Sequence, residues 1–312
     1  MSSDTTSGGN SEAGFVHEAL MYRDETELRA AVAEFLAAAS AAHEPVLMAL
    51  PDATWQRLQG SIGDADASFA DMEEVGRNPN CLLRMIEDWM TEHGGRARVV
   101  SEAIFPGRSY PETAECLRHE ALLNGALAGA DVAILSPYDA AHLDSEILAG
   151  AEMTHPTVLE GGRRRVSASY DATVPARLGE AWPLQSPSGP VFEHPLAGSL
   201  HDLRHEVADD PLVGELSSER RSDLVFAINE AATNAVRHGD GGCITRIWHD
   251  GRSVVSEVSF EASLDDPLAG RRRPDVDAID GRGLWLINQV CDLVELRSSP
   301  SGTTLRMHVR DH

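Results

Sequence analysis

Residues 219–239 read ERRSDLVFAINEAATNAVRHG, and this stretch decides the fold of the C-terminal third of the chain. Its apolar residues recur at helical spacing, which predicts one long helix with a buried stripe. The stripe consists of Leu224, Ile228, Ala231 and Ala235. Glu230 and Asn234 lie one turn apart on a flank of this helix. A carboxylate beside an amide suits a Mg²⁺-nucleotide site, because Asn offers an oxygen ligand and Glu can take a hydroxyl proton. On its own, such a pair is more often simply solvated.

Two glycine-containing stretches follow this helix in the sequence. Gly281-Arg282-Gly283 precedes a helix predicted over 284–292, and Gly302-Thr303-Thr304 begins the last predicted strand. Glycines let backbone amides approach phosphate, and the N-terminus of a helix attracts anions. Each stretch taken alone is also typical of an ordinary turn.

The order of predicted elements in this region defines its fold class. Helices are expected at 200–208 and 218–238, strands at 244–248 and 253–260, a helix at 284–292, and strands at 294–298 and 303–310. Asp250-Gly251 is a strong hairpin signal between the first two strands. The order predicts an α+β sandwich with helices on one face of a mixed or antiparallel sheet.

Taken together, these motifs resemble the GHKL (Bergerat-fold) ATPase family in kind and in order. The N-box resembles residues 230–234, the glycine box resembles GRGLWLINQVCD at 281–292, and the threonine box resembles GTTLRMHV at 302–309. DDPLAGRRRP at 265–274 is similar to multidomain actinobacterial members of the RsbW-like anti-sigma-factor serine kinases. We therefore expect a GHKL domain over residues 196–312.

The resemblance implies roles for individual residues. Asn234 would bind Mg²⁺, and Glu230 would be the general base toward a Ser of an anti-anti-sigma protein. Gly281, Arg282 and Gly283 would cover the triphosphate of ATP. Thr303 or Thr304 would lie near the adenine. Because phosphoryl transfer needs mainly positioning and charge neutralisation, a lid whose only cations are arginines is chemically adequate. Those arginines are Arg271, Arg272, Arg273 and Arg282.

One departure from the family pattern concerns the adenine. The family carries Asp-x-Gly at the end of the strand before the lid, and here Phe260 stands at the Asp and Ala262 at the Gly. Strand parity puts Phe260 on the inner face and Glu261 on the outer face, so Glu261 replaces the Asp only if a bulge shifts the strand by one residue. Losing a specific hydrogen bond and adding a ring is expected to weaken nucleotide binding.

The N-terminal half alternates strands with helices. Strands are predicted at 19–22, 45–50, 98–100 and 132–135, and helices at 25–42 and 111–129. This alternation predicts an α/β domain with a mainly parallel sheet. We expect a disordered tail over 1–14, this domain over 15–162, and a Pro- and Ser-rich linker over 163–195.

This half resembles the MEDS sensory domain, a degenerate relative of RecA-like ATPases. The matching pieces are HEALMYRDETEL at 17–28, PVLMAL at 45–50, ILSPYD at 134–139 and THPTVLEGG at 154–162. No GxxxxGK[ST] motif is present, so nucleotide hydrolysis is not expected in this half. The polar residues of the pattern are candidates for a sensory pocket: His17, Tyr138, Asp139 and His155.

Composition restricts the classes of function. The net charge of -24 argues against nucleic-acid and anionic-membrane partners. All 26 basic residues are arginines, which excludes amine chemistry such as a Schiff base. The four scattered cysteines show no metal-binding spacing, and there is no signal peptide or long apolar run. We expect a cytoplasmic protein.

The leading hypothesis is a partner-switching regulator that binds a sigma factor or an anti-anti-sigma (STAS-type) protein and uses ATP and Mg²⁺ to phosphorylate the latter. The resemblance to RsbW-like domains, which are commonly dimeric, also implies a homodimer. The first alternative is a non-catalytic binding module that has lost ATP. A sensor histidine kinase, suggested by Ser199-Leu-His201-Asp-Leu-Arg204, is disfavoured because no long helical hairpin separates His201 from Glu230.

Overall fold

The computed structural model describes residues 14–62, 67–174, 182–239, 242–275 and 281–311, which form two domains around two sheets. The tail predicted over 1–14 lies almost entirely outside the described residues. Within these ranges no helix has both the length and the apolar character needed to cross a bilayer.

The first domain is built on a seven-stranded sheet in the order β3-β2-β4-β5-β1-β6-β7. All neighbouring strands are parallel except β6 and β7, which confirms the α/β prediction. Its strands are β1 (Val16–Tyr22), β2 (Val46–Leu50), β3 (Ala67–Asp71), β4 (Arg96–Ser101), β5 (Asp131–Asp139), β6 (Thr157–Glu160) and β7 (Arg163–Val166). Every residue of β2 is buried, as expected for a continuous apolar strand covered on both faces.

Helices cover both faces of this sheet, and a separate apolar core lies under each face. They are α1 (Glu25–Ala42), α2 (Asp52–Ile62), α3 (Met72–Val75), α4 (Leu82–Glu92), α5 (Tyr110–Ala126) and α6 (Ser145–Thr154), with a 3-10 turn at Pro79–Cys81. Helix α1 has the predicted bounds. Asp24 caps its N-terminus by accepting from the Glu27 amide, so the helix starts directly after a capping residue.

The second domain is an α+β sandwich on a five-stranded sheet in the order β11-β12-β10-β9-β8. Every neighbouring pair is antiparallel. Its strands are β8 (Phe192–Pro195), β9 (Ile244–His249), β10 (Val254–Phe260), β11 (Leu293–Ser299) and β12 (Gly302–Val309). Its helices are α7 (Leu200–Ala208), α8 (Pro211–Gly214), α9 (Ser218–His238) and α10 (Arg282–Val290). Helices α7, α9 and α10 share one apolar core with the sheet.

The segment predicted as a linker, 163–195, is more ordered at its ends than its Pro and Ser content indicates. Strand β7 pairs with β6 and so completes the first sheet, whereas β8 pairs with β9 at the edge of the second sheet. A short strand at a sheet edge needs hydrogen bonds on one side only, so it leaves little hydrophobic pattern in the sequence. Between these two strands, the described residues 167–174 and 182–191 belong to neither sheet.

Candidate functional site

Helix α9 carries the two polar residues that the sequence singles out. Its predicted stripe is buried, and Glu230 and Asn234 are half-buried on the flank that faces α10. A Cβ atom on Gly283 would lie 3.1 Å from Oε2 of Glu230 and 3.4 Å from Nδ2 of Asn234. The glycine therefore lets the first turn of α10 approach this pair closely.

A cavity of about 680 Å³ opens beside these helices. It is bounded by α9, the first turn of α10, the adjoining ends of β10 and β12, and the segment 263–275, which we call the lid. The predicted residues that line this cavity are Asn234, Phe260, Arg272, Arg273, Gly281, Gly283 and Thr303, whereas Glu230 lies beside it and is not part of its lining. The fold thus brings together three motifs that are up to 70 residues apart in the chain.

The glycine box forms the N-terminus of α10, where free backbone amides favour anions. Gly281 is the N-cap residue and has φ of 86°, a left-handed conformation that favours glycine. The helix starts at Arg282, two residues earlier than predicted. Gly281 and Gly283 line the cavity, whereas the side chain of Arg282 is exposed and does not line it.

Phe260 occupies the position expected from strand parity. It pairs with Thr303 across β10 and β12, in a register that is continuous from Val254 to Phe260 along β12 and from Val254 to Ser259 along β9. No bulge shifts the strand, so Glu261 is exposed and does not reach the inner face. The phenyl ring lines the cavity, at the position where the family resemblance leads us to expect an adenine-binding carboxylate.

The two threonines of the final strand have different surroundings. The hydroxyl of Thr303 is buried and donates to the carbonyl of Ala262 at 2.6 Å. Thr304 points to the other face of the sheet, where its hydroxyl pairs with Ser259 at 3.2 Å. Of the two threonines, Thr303 alone lines the cavity, because consecutive side chains of a strand alternate between faces.

The lid is held by the first domain. Arg271 is buried and donates to Glu115 of α5 at 3.1 Å, so it does not reach the cavity as the Arg-only lid requires. Arg272 pairs with Glu87 at 2.7 Å and donates to the carbonyl of Ala126 at 2.8 Å. Leu268 packs against the core of the first domain. The lid chain turns at Gly270, whose φ is 74° and whose added Cβ would lie 2.8 Å from Cβ of Leu284.

Glu115 is the centre of this contact. Its two oxygens accept from Arg271 and, at 2.5 Å, from Arg297 of β11, and its side chain has no exposed surface. Burial alone would raise the pKa of Glu115, but Arg297, Arg118 and Arg271 outweigh it, and the pKa lies below the ordinary value. The carboxylate is therefore ionised at neutral pH, and it joins α5 of the first domain to the lid and to β11 of the second domain.

A second contact lies behind α10. Asn288 accepts at Oδ1 from Asn78 at 3.1 Å and from Asn80 at 3.0 Å. Its own amide donates to the carbonyl of Gly270 at 3.1 Å. One side chain of α10 thus bridges the first domain to the turn of the lid.

The region around His201 lacks the long helical hairpin of a sensor histidine kinase. Helix α7 has nine residues and α8 has four, and α9 begins shortly afterwards. His201 is exposed on α7 and contacts His205 with ring centroids 4.4 Å apart. The geometry agrees with the sequence-based reason for disfavouring that class.

The candidate sensory residues divide between the two faces of the first sheet. His17 and His155 are buried with ring centroids 4.0 Å apart, and Tyr138 lies edge-on to His155 at 5.6 Å. Asp139 follows Tyr138 in β5 and therefore points to the other face, where it pairs with His142 at 2.9 Å. It does not belong to the same pocket.

Sequence reasoning missed Glu120 on α5. Its Oε2 lies 3.0 Å from Nε2 of His17 and 3.4 Å from Nε2 of His155. The one sequence signal was the position of Glu120 directly before the apolar run that begins at Ala121. This position does not indicate His17 as a partner, because His17 lies 103 residues earlier in the chain.

Comparison with protein families agrees with this architecture. Residues 16–156 match the model of MEDS, the MEthanogen/methylotroph, DcmR Sensory domain. Residues 195–309 match the model of the histidine kinase-like ATPase domain. No curated protein matches the chain significantly. The chain is a two-domain protein that joins a MEDS domain to a histidine kinase-like ATPase domain of the GHKL type.

Proposed function

We propose that this protein is a partner-switching regulator whose second domain binds a sigma factor or an anti-anti-sigma protein. The observation that carries the proposal is the cavity beside α9, where Asn234, Gly283 and Thr303 converge although their motifs are distant in sequence. Histidine kinase-like ATPase domains of this kind include the RsbW-like kinases, and the -24 net charge leaves room for basic protein partners.

The phosphate end of the cavity suits Mg²⁺-ATP. Asn234 offers an oxygen to the metal ion, and the N-terminus of α10 offers backbone amides to the phosphates. Arg272 and Arg273 also line the cavity, although they pair with Glu87 and Asp88 of the first domain. Bound nucleotide would supply the phosphoryl group for transfer.

Glu230 is the residue of this chain that we propose takes part in transfer. Its carboxylate lies close to Gly283 in the first turn of α10, beside Asn234. It would accept the proton of a Ser hydroxyl on the bound anti-anti-sigma protein as that oxygen attacks phosphorus. Of the residues that the family resemblance assigns to the nucleotide site, Glu230 is the one carboxylate, although Asp266 and Asp275 of the lid also line the cavity.

The adenine end favours a second candidate function, binding without catalysis. Phe260 replaces the carboxylate that would accept from the adenine amino group, and the continuous register of β10 provides no substitute. A ring can stack against a base, but it cannot accept that hydrogen bond. Nucleotide affinity is then low, and the domain would regulate by holding its partner.

The contacts of the lid support a role for the MEDS domain in regulation. Arg271 and Leu268 both contact the first domain, so a conformational change in that domain would move the lid at the edge of the cavity. We propose that a signal sensed by the MEDS domain changes these contacts with the lid and thereby changes the affinity for the partner protein.

The test is transfer of label from Mg²⁺-[γ-³²P]ATP to a co-purified STAS-type partner. Wild type should label a Ser of the partner with an acid-stable phosphate, Glu230→Ala should abolish labelling while it still binds nucleotide, and His201→Gln should change nothing. Unchanged labelling by Glu230→Ala would refute its role as base. Partner binding without any labelling would favour the non-catalytic function, and acid-labile label on His201 would overturn both.

A further inference from the structure

Three side chains in the interior of the first domain converge on one point. They are His17 of β1, Glu120 of α5 and His155 at the end of α6, and all three are buried. One ligand atom from each lies within 4.8 Å of the others. They come from different elements of the fold, so the sheet and the two helices hold them in place.

The hydrogen bonds of the histidines define which nitrogen carries the proton. Nδ1 of His155 lies 2.8 Å from the carbonyl of Ala151, which can only accept, so Nδ1 is the protonated nitrogen. Nδ1 of His17 lies 3.1 Å from Oδ1 of Asn124. The amide nitrogen of Asn124 donates to the carbonyl of Thr154 at 2.8 Å, which leaves its oxygen to accept from His17.

In the neutral imidazoles both Nε2 atoms therefore present lone pairs to Glu120. These atoms lie 3.0 Å and 3.4 Å from the same carboxylate oxygen, which is itself an acceptor. Three lone pairs that face one another at these distances repel unless a cation lies between them. Nε2 of His155 has no hydrogen-bond partner within the described part of the chain, although it is buried.

We propose that His17, Glu120 and His155 form a binding site for a divalent transition-metal ion such as Zn²⁺ or Fe²⁺. Two imidazoles and one carboxylate are a ligand set that these ions use, and bond lengths of about 2.0–2.2 Å place neighbouring ligands at separations like those observed here. The Nδ1 contacts to Asn124 and Ala151 match the second hydrogen bond that metal-bound histidines make.

A further oxygen atom that could serve as a metal ligand lies on the same face of the sheet. The hydroxyl of Tyr138 is buried and has no hydrogen-bond partner in the described ranges, and its ring contacts His155. Ser136 donates to Glu120 at 3.2 Å and fixes the carboxylate. Glu120 lies five residues after Glu115 on α5, so the site and the anchor of the lid share one helix.

Metal analysis of the full chain tests the proposal. Protein produced with added Zn²⁺ and gel-filtered into metal-free buffer should hold about one zinc ion per chain. Glu120→Gln and His155→Gln should lose it, whereas His119→Gln, which changes a neighbouring buried histidine outside the cluster, should retain it. Asn124→Ala should weaken the affinity by about 10- to 100-fold.

A measurement on wild type avoids dependence on how the variants fold. Chain produced with Co²⁺ should show visible d–d absorption without a thiolate-to-cobalt charge-transfer band, because the proposed ligands are nitrogen and oxygen. Metal-free wild type would overturn the proposal and assign the cluster to a proton shared between the histidines and Glu120. A thiolate band, or full zinc in folded Glu120→Gln, would also overturn it.

Discussion

Arg271 in the lid of the cavity beside α9 donates to Glu115 of the MEDS domain across 3.1 Å, with both side chains buried. Arg297 donates to the other oxygen of the same carboxylate at 2.5 Å. A single carboxylate of one domain therefore holds two arginines of the other. This arrangement puts the MEDS domain in direct contact with the edge of the cavity.

Removing this carboxylate should loosen the lid. Glu115→Gln removes the counter-ion of the buried Arg271 and the half-buried Arg297, and we expect the free energy of unfolding to fall by about 3 kcal/mol. Hydrogen exchange of the amides at 264–275 should accelerate in the same variant. Glu87→Gln, which breaks the exposed pair with Arg272, is the control and should cost at most about 1 kcal/mol. Equal effects from the two variants would contradict the assigned role of Glu115.

The same carboxylate predicts a pH dependence. Since the pKa of Glu115 is lower in the folded protein than in the unfolded chain, its stabilisation is complete above the unfolded pKa of about 4.3 and is lost as pH falls through the folded pKa. Denaturant titrations at neutral pH and below pH of about 4 should show a smaller loss of stability for Glu115→Gln than for wild type. Parallel pH curves for the two proteins would contradict this.

Gly283 should be needed for nucleotide binding and not for stability. The methyl group of Gly283→Ala would press on Glu230 at 3.1 Å and displace the Glu230–Asn234 pair, so we expect Mg²⁺-ATP affinity to fall by about 10-fold, or 1.4 kcal/mol. Alanine is a better helix former than glycine, so the free energy of unfolding should change by less than about 1 kcal/mol. Gly125→Ala is the control because its added Cβ would contact nothing within 4 Å. An unchanged affinity in Gly283→Ala would argue that the pair does not contact the nucleotide.

Much of the second domain could be predicted from sequence. Helices α7 and α9 have the predicted bounds, and the position of Phe260 on the inner face follows from the alternation of a strand. The sequence left Thr303 and Thr304 as alternatives, and their placement depended on where β12 pairs with β10. Sequence patterns therefore predict those features that follow from the period of a helix or a strand, such as the buried face of α9 and the face on which Phe260 lies.

Features that depend on contacts between distant segments could not be predicted. Arg271 belongs to an arginine run typical of a phosphate-binding lid, yet a carboxylate 156 residues earlier binds it instead. The buried Glu120 has its partners on β1 and after α6, and no spacing along the chain connects them. Strands β7 and β8 are short edge strands with little apolar pattern.

We propose that the cavity beside α9 is a nucleotide site weakened at its adenine end by Phe260. Calorimetric titration with Mg²⁺-ATP of wild type, Phe260→Asp, and Phe260→Asp combined with Asn234→Ala tests this claim most directly. We predict weak binding by wild type, at least about 10-fold tighter binding by Phe260→Asp because the carboxylate can accept from the adenine amino group, and loss of binding in the double variant. No binding by wild type and by folded Phe260→Asp at millimolar nucleotide would contradict the account.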